Sequence, residues 1–149
     1  MTKTESLATY LGEYAPENVA ETILALARAA AGIAAQIRNP QTMLDAAAGD
    51  TNADGDTQKQ LDVLADSMIE DALRDTATSV YLSEERAAAV DLGAGDLMVA
   101  CDPLDGSSNI GVNVSVGTIV SVLPAAGGIL QPGKAQLAAC LFVYGPQTT

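Results

Sequence analysis

Leu97-Met98-Val99-Ala100-Cys101-Asp102-Pro103-Leu104-Asp105-Gly106-Ser107-Ser108-Asn109 runs from an apolar segment straight into carboxylates, glycine and hydroxyls. Leu97 to Cys101 fits a buried strand. That strand would deliver Asp102 to its end. Asp at a first position and Pro at a second favour a type I turn, which brings residues i and i+3 within about 7 Å. Asp102 and Asp105 would then aim their carboxylates at one point. Two converging carboxylates are costly unless a cation sits between them. Hard oxygen ligands at this density suit Mg²⁺, with Mn²⁺ as an alternative. Gly106-Ser107-Ser108 adds backbone N–H groups and hydroxyls as a cradle for phosphate. Cation ligands and anion donors this close together point to metal-assisted phosphoryl chemistry.

Further strands surround this one. Thr78 to Leu82 predicts a short strand and Val112 to Leu123 a longer one, alternating through Val114, Val116, Ile119 and Val122. Pro124 to Gly128 predicts a turn. Gln136 to Tyr144 predicts a last strand, closed by Gly145-Pro146. That last strand should pair and be covered, so the sequence reads as cut mid-fold.

Helices precede the strands. Val19, Ile23, Leu26, Ala30, Ile33 and Ile37 recur at helical spacing, with Asn18 as the cap and Asn39-Pro40 as the stop. Alanines 29–31, 34 and 35 suit close helix packing. The polar run from Asp45 to Asp56 predicts a loop. A second helix, about Thr57 to Asp75, would bury Leu61, Leu64, Met68, Ile69, Ala72 and Leu73. Helices followed by a run of strands predict an α+β fold, with N-terminal helices packed on a mostly antiparallel sheet.

The composition narrows the chemistry. The chain has 149 residues, 7 basic against 19 acidic, and a net charge of −12. It has no histidine, which excludes Ser-His-Asp and Cys-His catalysis and His-based metal sites. The negative charge argues against nucleic acid as a partner. A phosphate substrate would need a bridging cation. Two cysteines are too few for a disulfide framework and predict buried free thiols. No signal peptide opens the chain, and Val19–Ile37 carries Glu21 and Arg28, so no membrane partner is expected. These features predict a soluble, cytoplasmic protein.

Two further acidic clusters stand out. Glu84-Glu85 follows the first strand, where one carboxylate could join Asp102 and the other reach a water. Asp62 lies beside the buried stripe of the second helix, and Asp56 is placed as its cap.

G-D-T-Q-K-Q-L-D-V-L at 55–64, L-S-E-E at 82–85 and D-P-L-D-G-S-S-N at 102–109 occur in that order. Together with Leu130-Gln131-Pro132-Gly133 and Tyr144-Gly145-Pro146, they resemble the N-terminal half of bacterial-type class I fructose-1,6-bisphosphatases. D-P-x-D-G alone is shared with the wider inositol monophosphatase-like superfamily. The resemblance implies that layered sugar-phosphatase fold, with residues 1–149 as the N-terminal domain and the C-terminal domain absent. It implies Mg²⁺-dependent hydrolysis of the 1-phosphate of fructose 1,6-bisphosphate, within gluconeogenesis or the Calvin cycle.

The family's roles fall on matching positions. Glu84, Asp102 and Asp105, with the Leu104 carbonyl, match metal ligands. Asp105, Gly106, Ser107 and Ser108 match the phosphate-holding segment. Asp62 and Glu85 match the carboxylates that activate water, and Asp56 a supporting acid. The resemblance implies a sugar bisphosphate as substrate and a homo-oligomer for the full-length family. It implies no AMP inhibition, because Asp96-Leu97 stands where a Lys-Tyr pair is expected. The alternatives are a truncated, inactive metal-binding domain that associates with other subunits, a sedoheptulose-bisphosphatase, and an inositol-phosphatase-like enzyme.

Overall fold

Among the described residues of the computed structural model, three helices accompany a five-stranded sheet, and the two longer ones pack on one face of it. The structure describes residues 5–39, 53–112, 114–145 and 148–149, with side chains at 53–58 and 111–112 left aside. The elements are α1 (Leu7–Tyr14), α2 (Glu17–Ile37), α3 (Ala53–Leu73), β1 (Thr78–Ser83), β2 (Val90–Asp91), β3 (Leu97–Asp105), β4 (Val116–Pro124) and β5 (Ala138–Tyr144). The sheet order is β2-β1-β3-β4-β5. Among the described residues, only β1 and β3 run parallel; every other neighbouring pair of strands is antiparallel. The α+β architecture therefore forms as expected, on a mixed, mostly antiparallel sheet.

The helical period of α2 buries Val19, Ile23, Leu26, Ala30 and Ile33. Its small residues admit α3 closely: a Cβ on Gly32 would fall 2.6 Å from the Met68 methyl. By length and composition α2 could cross a membrane, but half of its most apolar window is buried inside the fold. From α3, Leu61, Ala65, Ile69 and Leu73 pack into the same core. The sheet contributes Tyr81, Val99, Cys101, Val120 and Val122. Each large apolar side chain so buried contributes about 1.5–3 kcal/mol.

Several expectations change. Asn18 does not cap α2. Pro16 occupies the cap without a side-chain bond, while Asn18 Nδ2 donates to both oxygens of Asp96. An unexpected helix, α1, precedes it, capped by the Ser6 hydroxyl accepting from Thr9 N–H. Helix α3 starts before Thr57, and Leu64 is exposed rather than part of the buried stripe. The expected loop at 45–56 lies outside the described residues up to Asn52, as does Pro40. Strand β4 starts at Val116, leaving Val114 exposed, and it points Ile119 outward. The inward residues of β4 are Val116, Thr118, Val120 and Val122, one even-numbered register. Strand β5 is an edge, exposing Ala139 and Leu141 on the face away from the helices. Cys101 is buried, Cys140 is half-buried, and both thiols are free.

Candidate active site

The carboxylate cluster is built on an irregularity in β3. Asp102 pairs with Ile119, but Asp105 pairs with Gly117, so three steps on β3 oppose two on β4. This is a bulge. The expected type I turn at 102–105 does not form, because the strand continues through Asp105. Pro103, which has no N–H to give a ladder, lies within the bulge. Its carbonyl accepts from the buried Thr118 hydroxyl at 2.7 Å. Thr118 has spent its only proton there, so the Tyr144 hydroxyl must donate to Thr118. The Asp102 Oδ1 accepts from Leu104 N–H at 3.1 Å. Ile119 and Gly117 lie two apart and share a face, so the extra residue puts Asp102 and Asp105 on one face as well. The bulge thus achieves what the turn was expected to achieve.

Glu84 is the hub of the cluster. It leaves β1 where Ser83 pairs with Cys101, which sets it beside Asp102. The β1–β3 register sets the two carboxyls close enough for each to feel the other's charge. Burial, then the neighbouring Glu84, then the Asp105 charge push the Asp102 carboxyl up to about 6. Asp62 reaches the cluster from α3. Burial raises its pKa, and the Glu84 charge adds to this; a hydrogen bond from Ser107 opposes it. That bond joins Ser107 Oγ to Asp62 Oδ2 at 3.3 Å, whereas Asp62 Oδ1 is buried with no partner. Glu85 sits on an exposed turn, yet its carboxyl is also raised, by desolvation first and then by the charges of Asp62, Glu84 and Asp66.

Gly106 follows with φ +76°, a left-handed turn that a Cβ would strain. Beyond it the expected loop is a 3₁₀ helix, Ser107–Val112, with Asn109 N–H closing on the Gly106 carbonyl at 2.8 Å. Ser107 is half-buried and Ser108 exposed. The segment therefore offers hydroxyls beside Asp105, on a defined turn.

The structure gathers Asp62, Glu84, Glu85, Asp102, Asp105 and Ser107. The side chain of Asp56 lies outside the described residues, and that of Leu104 packs in the core. Among the described residues no three acids form a ready-made cation cage. The donor chemistry nevertheless fits a divalent cation. All donors are hard oxygens, Glu84 and Asp102 lie side by side with the Asp102 carboxyl pushed up by burial and by its neighbour, and one Asp62 oxygen has no partner. A groove of about 690 Å³ opens on the sheet face away from the helices and meets the cluster at Glu84 and Asp102.

Asp66 and Arg86 were not anticipated. The buried Asp66 accepts from Tyr81 Oη at 2.9 Å and from Arg86 Nε at 2.5 Å. Its sequence signal was the spacing Asp62, Asp66, Glu70, which stacks three acids on one helix face.

Residues 9–149 match the family described as fructose-1-6-bisphosphatase, N-terminal domain, and the chain belongs to that family. It is 50% identical over 135 residues to a class 1 fructose-1,6-bisphosphatase of Cereibacter sphaeroides, covering 87% of this chain and 41% of that protein. It is 48% identical over 134 residues to the class 1 enzyme of Rhodobacter capsulatus, covering 87% and 40%. The chain therefore spans about two-fifths of the length of these relatives. The crystal structure of Leishmania major fructose-1,6-bisphosphatase in holo form superposes with a TM-score of 0.81 at 28% identity, over 98% of this chain and 46% of that one. The apo form of the same enzyme shares the fold at a TM-score of 0.75.

Proposed function

We propose that this chain, as an N-terminal domain over residues 1–149, carries the cation- and phosphate-handling part of a fructose 1,6-bisphosphate 1-phosphatase. The observation that supports it most is the β1–β3 register, which sets Glu84 beside Asp102 on the strand that leads to Asp105 and Ser107. Glu84, Asp102, Asp105 and the Leu104 carbonyl would hold Mg²⁺, with Mn²⁺ as a substitute. When bound, the cation neutralises phosphate charge and acidifies a bound water. Asp105, Gly106, Ser107 and Ser108 cradle the phosphate to be removed. Asp62 and Glu85 take the proton as the water oxygen bonds to phosphorus, with Asp56 in support. Their raised affinity for protons suits a general base working near neutral pH. The bond from phosphorus to the sugar oxygen breaks, leaving fructose 6-phosphate and phosphate. Two free thiols suit a reducing compartment such as the cytoplasm.

A second reading is a cation-binding domain that acts only beside another subunit, such as another copy. Ile119 and Leu141, exposed on the open sheet face, favour it. Phosphate release from fructose 1,6-bisphosphate, with and without Mg²⁺ and beside Asp105→Ala, separates the two. Mg²⁺-dependent release lost in the variant supports the enzyme. No release, with Mg²⁺ raising the Tm of the parent but not of Asp105→Ala, supports the second reading. No response to Mg²⁺ at all refutes both.

A further inference from the structure

We propose that Arg86 is a positioning residue, fixing the Glu84-Glu85 turn against α3 through a fork to Asp66 and Glu70. The inference rests on the cation-site reading above. Arg86 Nη2 reaches Asp66 Oδ2 at 2.5 Å and Glu70 Oε2 at 2.6 Å. Its guanidinium also lies 5.9 Å from the centre of the Tyr81 ring. Tyr81 in turn donates to the other Asp66 oxygen, so both oxygens of that buried carboxylate are engaged. Glu70 is held on its far side by Arg74.

This arrangement ties three elements together. Arg86 N–H donates to the Ser83 carbonyl at 3.3 Å, and Glu85 N–H to the Ser83 hydroxyl at 3.2 Å. The turn is tight, and its last residue is bolted to α3. Asp62 lies one helical turn before Asp66 on the same face of α3. The spacing between Asp62 on the helix and Glu84-Glu85 on the turn is therefore set by the Arg86 fork. The acids of the cluster repel one another, and without a clamp the turn would swing away from α3. The guanidinium also spends its charge on Asp66 and Glu70, which keeps it from competing with a cation for Glu84 or Glu85. Lysine carries the same charge but cannot form the fork.

The test is Mn²⁺ affinity of the whole 149-residue chain by electron paramagnetic resonance, for the parent, Arg86→Lys and Asp66→Asn. Ile23→Val serves as a core variant far from the turn. All are measured at a temperature where circular dichroism shows each one folded. Both clamp variants should bind Mn²⁺ at least about tenfold more weakly, the size seen when groups supporting metal ligands are lost. Ile23→Val should bind as the parent does. Parent-like affinity in Arg86→Lys and Asp66→Asn overturns the inference while leaving the cation site standing. An equal loss in Ile23→Val overturns it too, because general loosening would then suffice. A parent chain that does not bind Mn²⁺ overturns the cation-site reading itself, and this inference with it.

Discussion

The Glu84 amide donates to the Cys101 carbonyl across 3.1 Å, extending the β1–β3 pairing one step beyond the strand end. That bond holds the Glu84 backbone next to Asp102, while the turn that follows is left to its contacts with α3. The cost falls on Asp102, whose carboxyl burial and the neighbouring Glu84 push upward.

The pH dependence of stability follows from this pair. The Asp102 carboxyl titrates at about 6 in the fold against 3.8 ordinarily, and Asp62 and Glu85 shift in the same direction. A raised carboxyl pKa means the fold favours the protonated form. Its stabilisation is complete below the ordinary value and is lost as pH rises through about 6. Metal-free protein should therefore show a higher Tm at about pH 5 than at about pH 7.5. Excess Mg²⁺ should raise Tm mainly at the higher pH and flatten the profile. A metal-free Tm that falls between pH 7.5 and 5 would contradict the assignment.

Asp62→Asn should separate stability from function. The substitution keeps an acceptor for the Ser107 hydroxyl and removes a charge whose second oxygen is buried without a partner. Metal-free Tm at neutral pH should rise by a few degrees. Mg²⁺-dependent phosphate release should fall by about a hundredfold or more, the usual worth of a general base. Calorimetry and a phosphate assay on the same preparation check both.

Thr118→Val tests the bulge. It is nearly isosteric but strips the Pro103 carbonyl and the Tyr144 hydroxyl of their shared partner. Leaving buried polar groups unpaired should cost about 1–3 kcal/mol. Because the bulge aligns Asp102 with Asp105, Mg²⁺ should also raise the Tm of this variant less than that of the parent. Urea unfolding and a Mg²⁺ titration of Tm measure the two effects.

Ile69→Ala addresses the core between α3 and the sheet. Ile69 is fully buried, and such truncations cost about 2–5 kcal/mol. Chemical denaturation should show a lower midpoint with an unchanged slope.

The main elements were legible because their patterns are regular. The 3.6-residue period of α2 runs from Val19 to Ile37, and β3 reads as a solid apolar run. The acids of the cluster were legible as well, since Glu84-Glu85 follows β1, Asp105 ends β3, and Asp102 closes the apolar run of that strand. What escaped depended on partners distant in sequence. Asn18 has the chemistry of a cap, but Asp96, 78 positions later, takes its amide instead. Pro103 suggested a turn, but the Thr118 hydroxyl and the β4 ladder hold the backbone extended. Ile119 was placed in one alternation with Val116 and Val122, yet the Val116 register turns it outward. Arg86 carried no local sign of its importance, because both of its acidic partners lie on another element.

The single parallel pair in the sheet has a consequence for how the molecule can be divided. Two antiparallel neighbours place their C-terminal ends at opposite edges; β1 and β3 place theirs at one edge. Glu84 and Asp102 meet only because of that. No continuous stretch shorter than the span from Asp62 to Asp105 contains the assembled acids, so the site cannot be carved out as a short peptide or grafted as a loop. It comes into being with the sheet and should be lost with it, in one cooperative step.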